Sequence, residues 1–395
     1  MRYDFDRVID RRGTDSAKWD RNTALFGTED VLDMWVADMD LPSPQPVIDA
    51  MKERLEHPIF GYTFPSDSLY QAVIDRMDRL FGWQVRREWI IFIPGVITGL
   101  HAAIDALTAR GDEVLLQPPV YYPFFNTVRS KGCHVVNNQL LYDGEKYAMD
   151  LQGFPELFAT SERFPRTSHR IRALVLCSPH NPVGRVWTRG ELEGLAELCL
   201  RHNCAIISDE IHCDLVVGDV DHTVTASLSP EIANRTITLM APSKTFNLPG
   251  LGASFAIIPN PEWRRLFRQA QIGQGGVNIM GLIAMEAALR DGDDYVRQLN
   301  EYLRGNIEFF SERLNRLPGV KVVRPEGTYL AWVDMRRLGL DDMQLRHFMI
   351  TEARIATDFG YVFGPGGEGF QRFNLACPRS VVQEAVERLE IAFGV

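Results

Sequence analysis

The chain has 395 residues, of which 45% are hydrophobic and 24% are charged, and its formal net charge is −10 at pH 7. This negative balance argues against a broad nucleic-acid or anionic-membrane surface, because both require concentrated lysine and arginine. No apolar run approaches the roughly 18 residues of a membrane span. The six cysteines show no metal-ligand spacing, and scattered free thiols are typical of a reducing cytoplasm. We therefore expect a cytoplasmic protein of two domains without a bound metal.

Short apolar runs alternate with helical patterns through the middle of the chain, which predicts α/β architecture with a mostly parallel sheet. The predicted strands are residues 89–93, 114–116, 172–177, 204–208 and 236–240, and the predicted helices are 96–107 and 191–202. Beyond position 281 a long helical stretch precedes strand-like residues 320–324 and 328–333. We predict an N-terminal segment (1–45) that packs with the small domain, a large domain (46–285) and a small α+β domain (286–395).

Residues suited to catalysis or ligand binding follow the predicted strands one after another. Gly95, Tyr121, Asn181, Asp209 and Lys244 each come shortly after the end of a strand. In open α/β sheets, ligands bind beyond the carboxyl ends of the strands. Five such residues in register therefore predict one site at that edge of the sheet.

Lys244 lies in the sequence Ala-Pro-Ser-Lys-Thr-Phe, just past an apolar strand. A partly desolvated lysine has a lowered pKa and can form a Schiff base with an aldehyde. The alternative is a solvated loop lysine, which describes most lysines. The neighbouring Ser243 has a hydroxyl that suits a phosphate or the cap of a turn.

Asp209 directly follows a predicted strand, in the sequence ISDEIH. A carboxylate there can pair with a protonated pyridine nitrogen and so hold the ring as an electron sink. The alternative is a helix N-cap, a common role of aspartate at such junctions. His212 is within reach of a cofactor's phenolic oxygen if the site exists, and is otherwise a packed structural histidine.

Asn181 and Tyr121 are the candidates for orienting an aromatic ring. Asn181 lies in SPHNPVG, where its amide could donate to a cofactor oxygen, although Asn-Pro also marks a simple turn. Tyr121 in PPVYYPF offers an aromatic face; the alternative is a core aromatic, a role for which Tyr122 is an equal contender.

Two further features suit anions. Residues 95–99 separate a strand from a helix, and the free N–H groups at a helix start attract phosphate, although the spacing is not that of a dinucleotide fingerprint. Arg372 lies within an otherwise apolar strand. A buried guanidinium is costly unless it grips a carboxylate, which belongs either to a substrate or to a structural salt bridge.

Taken in order, these motifs resemble those of fold-type I pyridoxal 5′-phosphate (PLP) enzymes. More narrowly, the chain resembles the MalY/PatB-type C–S lyases, which are cystathionine β-lyases of the class I/II aminotransferase superfamily. The resemblance covers nearly the whole chain and implies a large domain with a mostly parallel, seven-stranded sheet between helices. It rests on the strings RRGTDSAKWD, WVADMDLPSP, FGYTFP, PGVITGLHAAI, PPVYYPF, SPHNPVGRVWT, ISDEIHCDL, PSKTFNLPGLG, EGTYLAWVDMR and GFQRFNLACPR.

The resemblance implies a role for each matched residue. Lys244 would bind PLP covalently and shuttle the substrate proton, with Asp209 at the pyridine nitrogen and Tyr121 stacked on the ring. Further cofactor contacts would come from Asn181 at O3′, from the backbone of Val96 and Ile97 and the hydroxyl of Ser243 at the phosphate, from His212, and from Tyr62, which would reach the phosphate of the neighbouring subunit.

The resemblance also implies a substrate site and a homodimer with shared active sites. Arg372 would hold the substrate α-carboxylate, and it would be helped by the backbone near Val36 and Ala37. Trp35, Asp38 and Asp40 would line the substrate entrance.

Two departures from ordinary aminotransferases favour the lyase branch. Those enzymes carry a phosphate-binding arginine eight residues after the lysine, where this chain has Gly252, and a tyrosine three residues after the pyridine aspartate, where it has His212. The predicted reaction is β-elimination on cystathionine or a cysteine S-conjugate, which releases a thiol, pyruvate and ammonia. The alternatives are an aminotransferase and a regulatory protein that uses this fold for protein–protein contact.

Overall fold

The computed structural model describes residues 2–163 and 170–395. Its helices are α1 (Asn22–Phe26), α2 (Gln45–Leu55), α3 (Asp67–Phe81), α4 (Val96–Leu107), α5 (Pro123–Ser130), α6 (Phe154–Arg163), α7 (Arg189–Arg201), α8 (Pro230–Ala233), α9 (Pro261–Ala270), α10 (Ile279–Asp291), α11 (Asp293–Leu314), α12 (Asp342–His347) and α13 (Arg379–Phe393). Among these described residues, no helix combines the length and the apolar character that spanning a lipid bilayer requires.

The strands come in the order β1 (Leu32–Asp33), β2 (Ile90–Ile93), β3 (Glu113–Leu116), β4 (His134–Asn137), β5 (Leu141–Tyr142), β6 (Tyr147–Ala148), β7 (Ile171–Cys177), β8 (Ala205–Asp209), β9 (Thr236–Met240), β10 (Ser254–Ile257), β11 (Lys321–Val323), β12 (Leu330–Asp334), β13 (Ile355–Ala356), β14 (Asp358–Phe359) and β15 (Phe370–Asn374). Each element predicted from the sequence is present, with boundaries that differ by one or two residues. The sequence interpretation missed β4 and β10, as well as the two-residue strands β1, β5, β6, β13 and β14.

A seven-stranded sheet in the order β2-β10-β9-β8-β7-β3-β4 forms the centre of the molecule. The pairs β4/β3, β3/β7, β7/β8 and β8/β9 are parallel, whereas β10 runs antiparallel to both of its neighbours. The predicted α/β fold with a mostly parallel sheet is confirmed. Because β2 again runs in the common direction, the carboxyl ends of six strands meet at one edge.

Helices cover both faces of this sheet. Along β7, Ala173 and Val175 join a buried cluster with residues of α4 and α9, whereas Leu174 and Leu176 join a second cluster with α7. This alternation explains the continuous apolar run of the strand, which is typical of parallel strands buried on both faces. α7 begins at a capping box, in which the side chains of Thr188 and Glu191 each accept the other's backbone N–H.

A second, antiparallel sheet in the order β11-β12-β15-β14 lies in the C-terminal part. The N-terminal segment packs against this part: Phe5 and Met34 share a buried cluster with Leu303 of α11 and Val382 of α13, and β1 pairs with β13. The same cluster includes Ala284 and other residues of α10. The domain divisions at 45 and 285 stay predictions.

Gly360 tests how tightly the edge of the small sheet is packed. A Cβ at this position would collide with the backbone oxygen of Gly367 and would lie 2.6 Å from that of Phe370. Because backbone cannot yield as a flexible side chain does, Gly360→Ala is expected to lower the free energy of unfolding by about 3 kcal/mol. Gly190→Ala is the control, since nothing lies within 4 Å of its Cβ in α7. Equal urea midpoints for the two variants would contradict this packing.

Candidate active site

A cavity of about 210 Å³ lies at the carboxyl edge of the seven-stranded sheet. The five residues predicted to share this edge all line it. The predicted site residues among its walls are Ala37, Val96, Ile97, Tyr121, Asn181, Asp209, His212, Ser243 and Lys244. The parallel strands thus bring together side chains that are more than a hundred positions apart in the sequence.

Lys244 follows β9 by four residues and is partly buried in the cavity wall. Its Nζ donates a hydrogen bond to the carbonyl oxygen of Ala37 at 2.7 Å. Burial, together with the positive charge of Arg372, lowers the pKa of the amine to about 8, although Asp38 and Asp209 partly oppose this shift. The amine therefore reaches its neutral, nucleophilic form close to physiological pH.

Asp209 ends β8 and is almost fully buried. Its Oδ1 accepts the N–H of Ile211 at 3.1 Å. Burial raises the pKa of this carboxyl to about 7, against the opposing effects of that N–H and of Lys244. Within the described residues the carboxylate has no ion-pair partner. A buried carboxyl in this state suits a ligand that brings a cationic nitrogen into the cavity.

His212 lies three residues beyond Asp209 and lines the same cavity. Burial and the positive charges of Lys244 and Arg372 hold its pKa well below the ordinary value, so the imidazole is neutral. Its Nδ1 is buried without a hydrogen-bond partner among the residues that the structure describes. A polar ligand atom in the cavity would satisfy this nitrogen.

The N-terminus of α4 forms another wall of the cavity. Gly95 precedes it in extended backbone conformation and provides no side-chain cap, so the first N–H groups of the helix, including those of Val96 and Ile97, remain for a ligand. These groups and the helix dipole favour an anion. The hydroxyl-bearing residues Ser243 and Thr98 line the cavity too, and Thr98 was not predicted from the sequence.

Gly252, where ordinary aminotransferases have an arginine, lines the cavity near this helix. Its φ is +57°, and a Cβ there would lie 3.3 Å from the carbonyl oxygen of Pro94. An arginine at this position would need a left-handed backbone that residues with side chains rarely adopt. The left-handed backbone at this position therefore disfavours the usual phosphate-binding arginine.

Tyr121 and Asn181 are tied together by their backbones, because the N–H of Tyr121 donates to the carbonyl oxygen of Asn181 at 3.1 Å. Burial raises the pKa of the Tyr121 phenol to about 12. Tyr121 lines the cavity, whereas Tyr122 is absent from its walls and packs edge-on against Phe363. The structure thus favours Tyr121 over Tyr122 as the aromatic face.

Arg372 lies on β15 and is 2% exposed. Its Nη1 donates to Oδ1 of Asn181 at 3.0 Å, and its Nη2 donates to the carbonyl oxygen of Trp35 at 2.9 Å and to the carboxylate of Asp358. Asp358 was not predicted from the sequence. The arginine thus joins a loop of the large sheet, the N-terminal loop and the small sheet.

Residues 35–40 form a loop over the cavity that is held from several directions. The amide of Asn374 donates to the carbonyl oxygens of Val36 and Asp38, each at 2.6 Å, and Tyr329 donates to that of Ala37 at 2.8 Å. Asn247 bonds both the N–H and the carbonyl oxygen of Met39. Sequence reasoning missed these three supporting side chains, because each matters only through contacts more than 200 positions away.

The side chains predicted to line the substrate entrance make contacts within the N-terminal segment. Trp35 Nε1 donates to the carbonyl oxygen of Lys18 at 3.2 Å. Asp38 pairs with Arg11 at 2.7 Å, and Asp40 is enclosed by the fully buried Lys18 and by Arg11. These ion pairs fix the loop, and their role toward a substrate stays a prediction.

The comparisons with known proteins agree with this geometry. A family model described as aminotransferase class I and II matches residues 29–389. The chain belongs to this family. It is 41% identical over 393 residues to the cystathionine beta-lyase PatB of Bacillus subtilis, an alignment that covers 99% of this chain and 100% of PatB. Protein MalY of Escherichia coli is 31% identical, with 98% of each chain covered. The resemblance predicted from the sequence is confirmed.

Solved structures of similar proteins contain the same fold. The crystal structure of cystalysin from Treponema denticola, which contains pyridoxal 5′-phosphate, is 35% identical and superposes with a TM-score of 0.94 over 100% of this chain and 99% of cystalysin. A PLP-bound C–S lyase from Staphylococcus hominis is 29% identical, with a TM-score of 0.90 over 100% of this chain and 98% of its own.

The raised pKa of Asp209 predicts how the cofactor-free protein responds to pH. Its folded pKa of about 7 exceeds the unfolded value of about 4, so the folded state loses stability from this group as pH rises from about 4 to about 7. Asn does not titrate, and Asp209→Asn should therefore stabilise the cofactor-free protein by about 3 kcal/mol more at pH 8 than at pH 5. Urea unfolding at both pH values measures this difference, and a constant offset would contradict the assignment.

Proposed function

We propose that this protein is a PLP-dependent carbon–sulfur β-lyase, which acts on cystathionine or cysteine S-conjugates and releases a thiol, pyruvate and ammonia. One observation carries the proposal: a lysine with a depressed pKa and a buried carboxyl, which has no ion pair in the described part of the chain, line the same cavity as the uncapped N-terminus of α4. An aldehyde, a ring nitrogen and a phosphate are the three groups that these features fit.

The residues present would hold the cofactor as follows. Lys244 would bind the aldehyde carbon, Asp209 the ring nitrogen, and the α4 N-terminus with Ser243 the phosphate. Asn181 and His212 would contact the phenolic oxygen, and Tyr121 would stack on the ring. When bound, PLP supplies an aldehyde that captures the substrate amine and a pyridine ring that accepts the electron pair from Cα.

Lys244 would act as the general base once the substrate amine has replaced it. Its pKa of about 8 gives a useful neutral fraction near neutral pH, which is what proton abstraction from Cα needs. Its Nζ donates a hydrogen bond to the carbonyl oxygen of Ala37, in the loop that would form the carboxylate side of the site. Arg372 would orient the α-carboxylate there.

In the elimination, the electrons and the proton released from the substrate are all accounted for. The Cα–H bond breaks and its proton goes to Lys244, while the Cβ–S bond breaks and sulfur keeps the electron pair. The thiolate takes up a proton, and the remaining three-carbon enamine hydrolyses to pyruvate and ammonia. Two features favour this outcome over transamination: Gly252 replaces the usual phosphate arginine, and the relatives at 41% and 31% identity are the lyase PatB and MalY.

The lyase reaction is tested with cystathionine in the absence of any keto acid. We expect pyruvate and thiol to appear together, whereas an aminotransferase would form neither product without an acceptor. Asp209→Ala should lower kcat by at least about a thousandfold, since each 1.4 kcal/mol of lost carbanion stabilisation costs about tenfold. Lys244→Ala should lower it further, and Lys321→Ala, a substitution at an exposed lysine, should not change it. Near-normal turnover by Lys244→Ala would refute the mechanism.

We also propose that the active unit is a homodimer. A contiguous segment of exposed apolar side chains supports it: Ile59 is 66% exposed, Phe60 57% and Phe64 82%, and Tyr62 among them is fully exposed. Such a patch is costly in water and is typical of a surface that a partner covers. A second copy could cover this segment and receive the hydroxyl of Tyr62 at its phosphate.

The dimer predicts a specific effect of charge in this segment. Phe64→Glu should shift the protein toward monomer in sedimentation velocity, because the interface would then bury an unpaired carboxylate. Ile391→Glu is the matched control, since Ile391 is 76% exposed in α13, a different surface. A wild-type chain that sediments as a monomer at micromolar concentration would overturn the proposal.

A further inference from the structure

The arginine proposed to receive the substrate α-carboxylate already contacts a carboxylate of this chain. Asp358 and Arg372 are directly opposite one another on the antiparallel strands β14 and β15, and Arg372 Nη2 donates to Asp358 Oδ2. The other bonds of the guanidinium go to Asn181 and to the backbone of Trp35. Its buried Nε has no hydrogen-bond partner in residues 2–163 and 170–395.

The two members of this pair differ in their access to solvent. The side chain of Arg372 is 3% exposed and is fixed by three acceptors on three different segments. The side chain of Asp358 is 14% exposed, and the guanidinium is the only side-chain partner that the structure records for it in the described part of the chain. Of the two groups, Asp358 is therefore the one that can move when a ligand arrives.

A substrate α-carboxylate on Arg372 would compete with Asp358 for the same positive charge. Two carboxylates beside one guanidinium leave one negative charge uncompensated in a poorly solvated place. Asp358 lies near Tyr121 and Tyr122, whose phenols add no positive charge. Burial already raises the pKa of the Asp358 carboxyl, and Arg372 is the charge that opposes this shift. Once released, the carboxyl must either take up a proton or meet a cation, and an amine-bearing substrate brings such a cation.

We propose that Asp358 is a specificity-determining residue. It would release Arg372 when the substrate α-carboxylate binds there, and it would then pair with an ammonium group on the sulfur-bearing side of the substrate. This inference rests on the proposed lyase function and names its substrate class. Cysteine S-conjugates whose leaving group carries an amine, as in cystathionine, satisfy both charges. Conjugates with a neutral alkyl leaving group satisfy only the arginine.

The test compares two substrates of nearly equal size in the holoenzyme, S-(2-aminoethyl)-L-cysteine and S-propyl-L-cysteine. The wild type should favour the aminoethyl substrate in kcat/KM. Asp358→Asn should lower kcat/KM for this substrate and raise it for the propyl substrate, because the competing charge is gone. The ratio of the two values should fall by about tenfold or more.

A purely structural role of Asp358 predicts a different result, namely an equal loss for both substrates. Asp334→Asn is the matched control: Asp334 is 13% exposed, lies in the same small sheet and pairs with Arg336. This variant should leave the ratio unchanged. If Asp358→Asn does not fold, Asp358→Ser removes the same charge, and visible absorption of the bound cofactor verifies either variant.

Calorimetry provides a readout that does not depend on turnover. In the Lys244→Ala background, Asp358→Asn should weaken binding of the aminoethyl compound and strengthen binding of the propyl compound. Thiol release from both substrates with an unchanged ratio in Asp358→Asn, or a wild-type preference for the propyl substrate, would overturn this inference alone. No thiol release from either substrate by the wild type would instead contradict the proposed lyase function.

Discussion

The Arg372 guanidinium is the contact on which the geometry of the site depends. It bonds a side chain at the edge of the large sheet, a carbonyl of the N-terminal loop and a carboxylate of the small sheet. A buried positive charge is costly unless hydrogen-bond acceptors and a negative charge surround it. The large sheet, the N-terminal loop and the small sheet must therefore pack so that each keeps its acceptor at the guanidinium. In the proposed mechanism the same guanidinium receives the substrate carboxylate, which would take the place of the Asp358 carboxylate.

Lys244 and Asp209 illustrate how burial prepares a site for a charged cofactor. Burial lowers the pKa of the amine to about 8 and raises that of the carboxyl to about 7, so both groups move toward their neutral forms. Neutrality is useful in the lysine, which in the proposed mechanism acts as a nucleophile and a base. In the carboxyl it is a cost, which a cationic ring nitrogen removes. Burial therefore favours a neutral amine, which suits an aldehyde, and leaves a carboxyl that a cationic ring nitrogen would stabilise. PLP carries both of these groups.

The sequence predicted those site residues that are marked by their position directly after a strand. Gly95, Asn181, Asp209 and Lys244 each follow a predicted strand. The strands β7, β8 and β9 pair in parallel, and β2 runs in the same direction across the antiparallel β10, so all four residues come to one edge of the sheet. The strand β10 was missed because its antiparallel return leaves no such marker. Asp358 escaped notice because its strand has two residues, too few to show a period.

The supporting side chains were unpredictable for a different reason. Asn374 and Asn247 hold the loop over the cavity through backbone atoms more than 200 residues away, and nothing in their own neighbourhoods signals this. Loop carbonyls accept hydrogen bonds from any donor that the tertiary fold supplies. Such contacts become visible only when the two domains predicted for the chain are seen together.

The left-handed backbone at Gly252 connects cofactor binding to assembly. Because no arginine can occupy this position without strain, the phosphate would rely on the N–H groups of α4 and on hydroxyls. These groups offer partial charges, which stabilise a dianion less than a guanidinium does. In the proposed dimer, Tyr62 of the second copy adds a donor that one chain lacks. Retention of the cofactor would then depend on the partner subunit. Two effects would favour the proposed dimer: the burial of the exposed apolar residues around Tyr62 and the contact of Tyr62 with the phosphate.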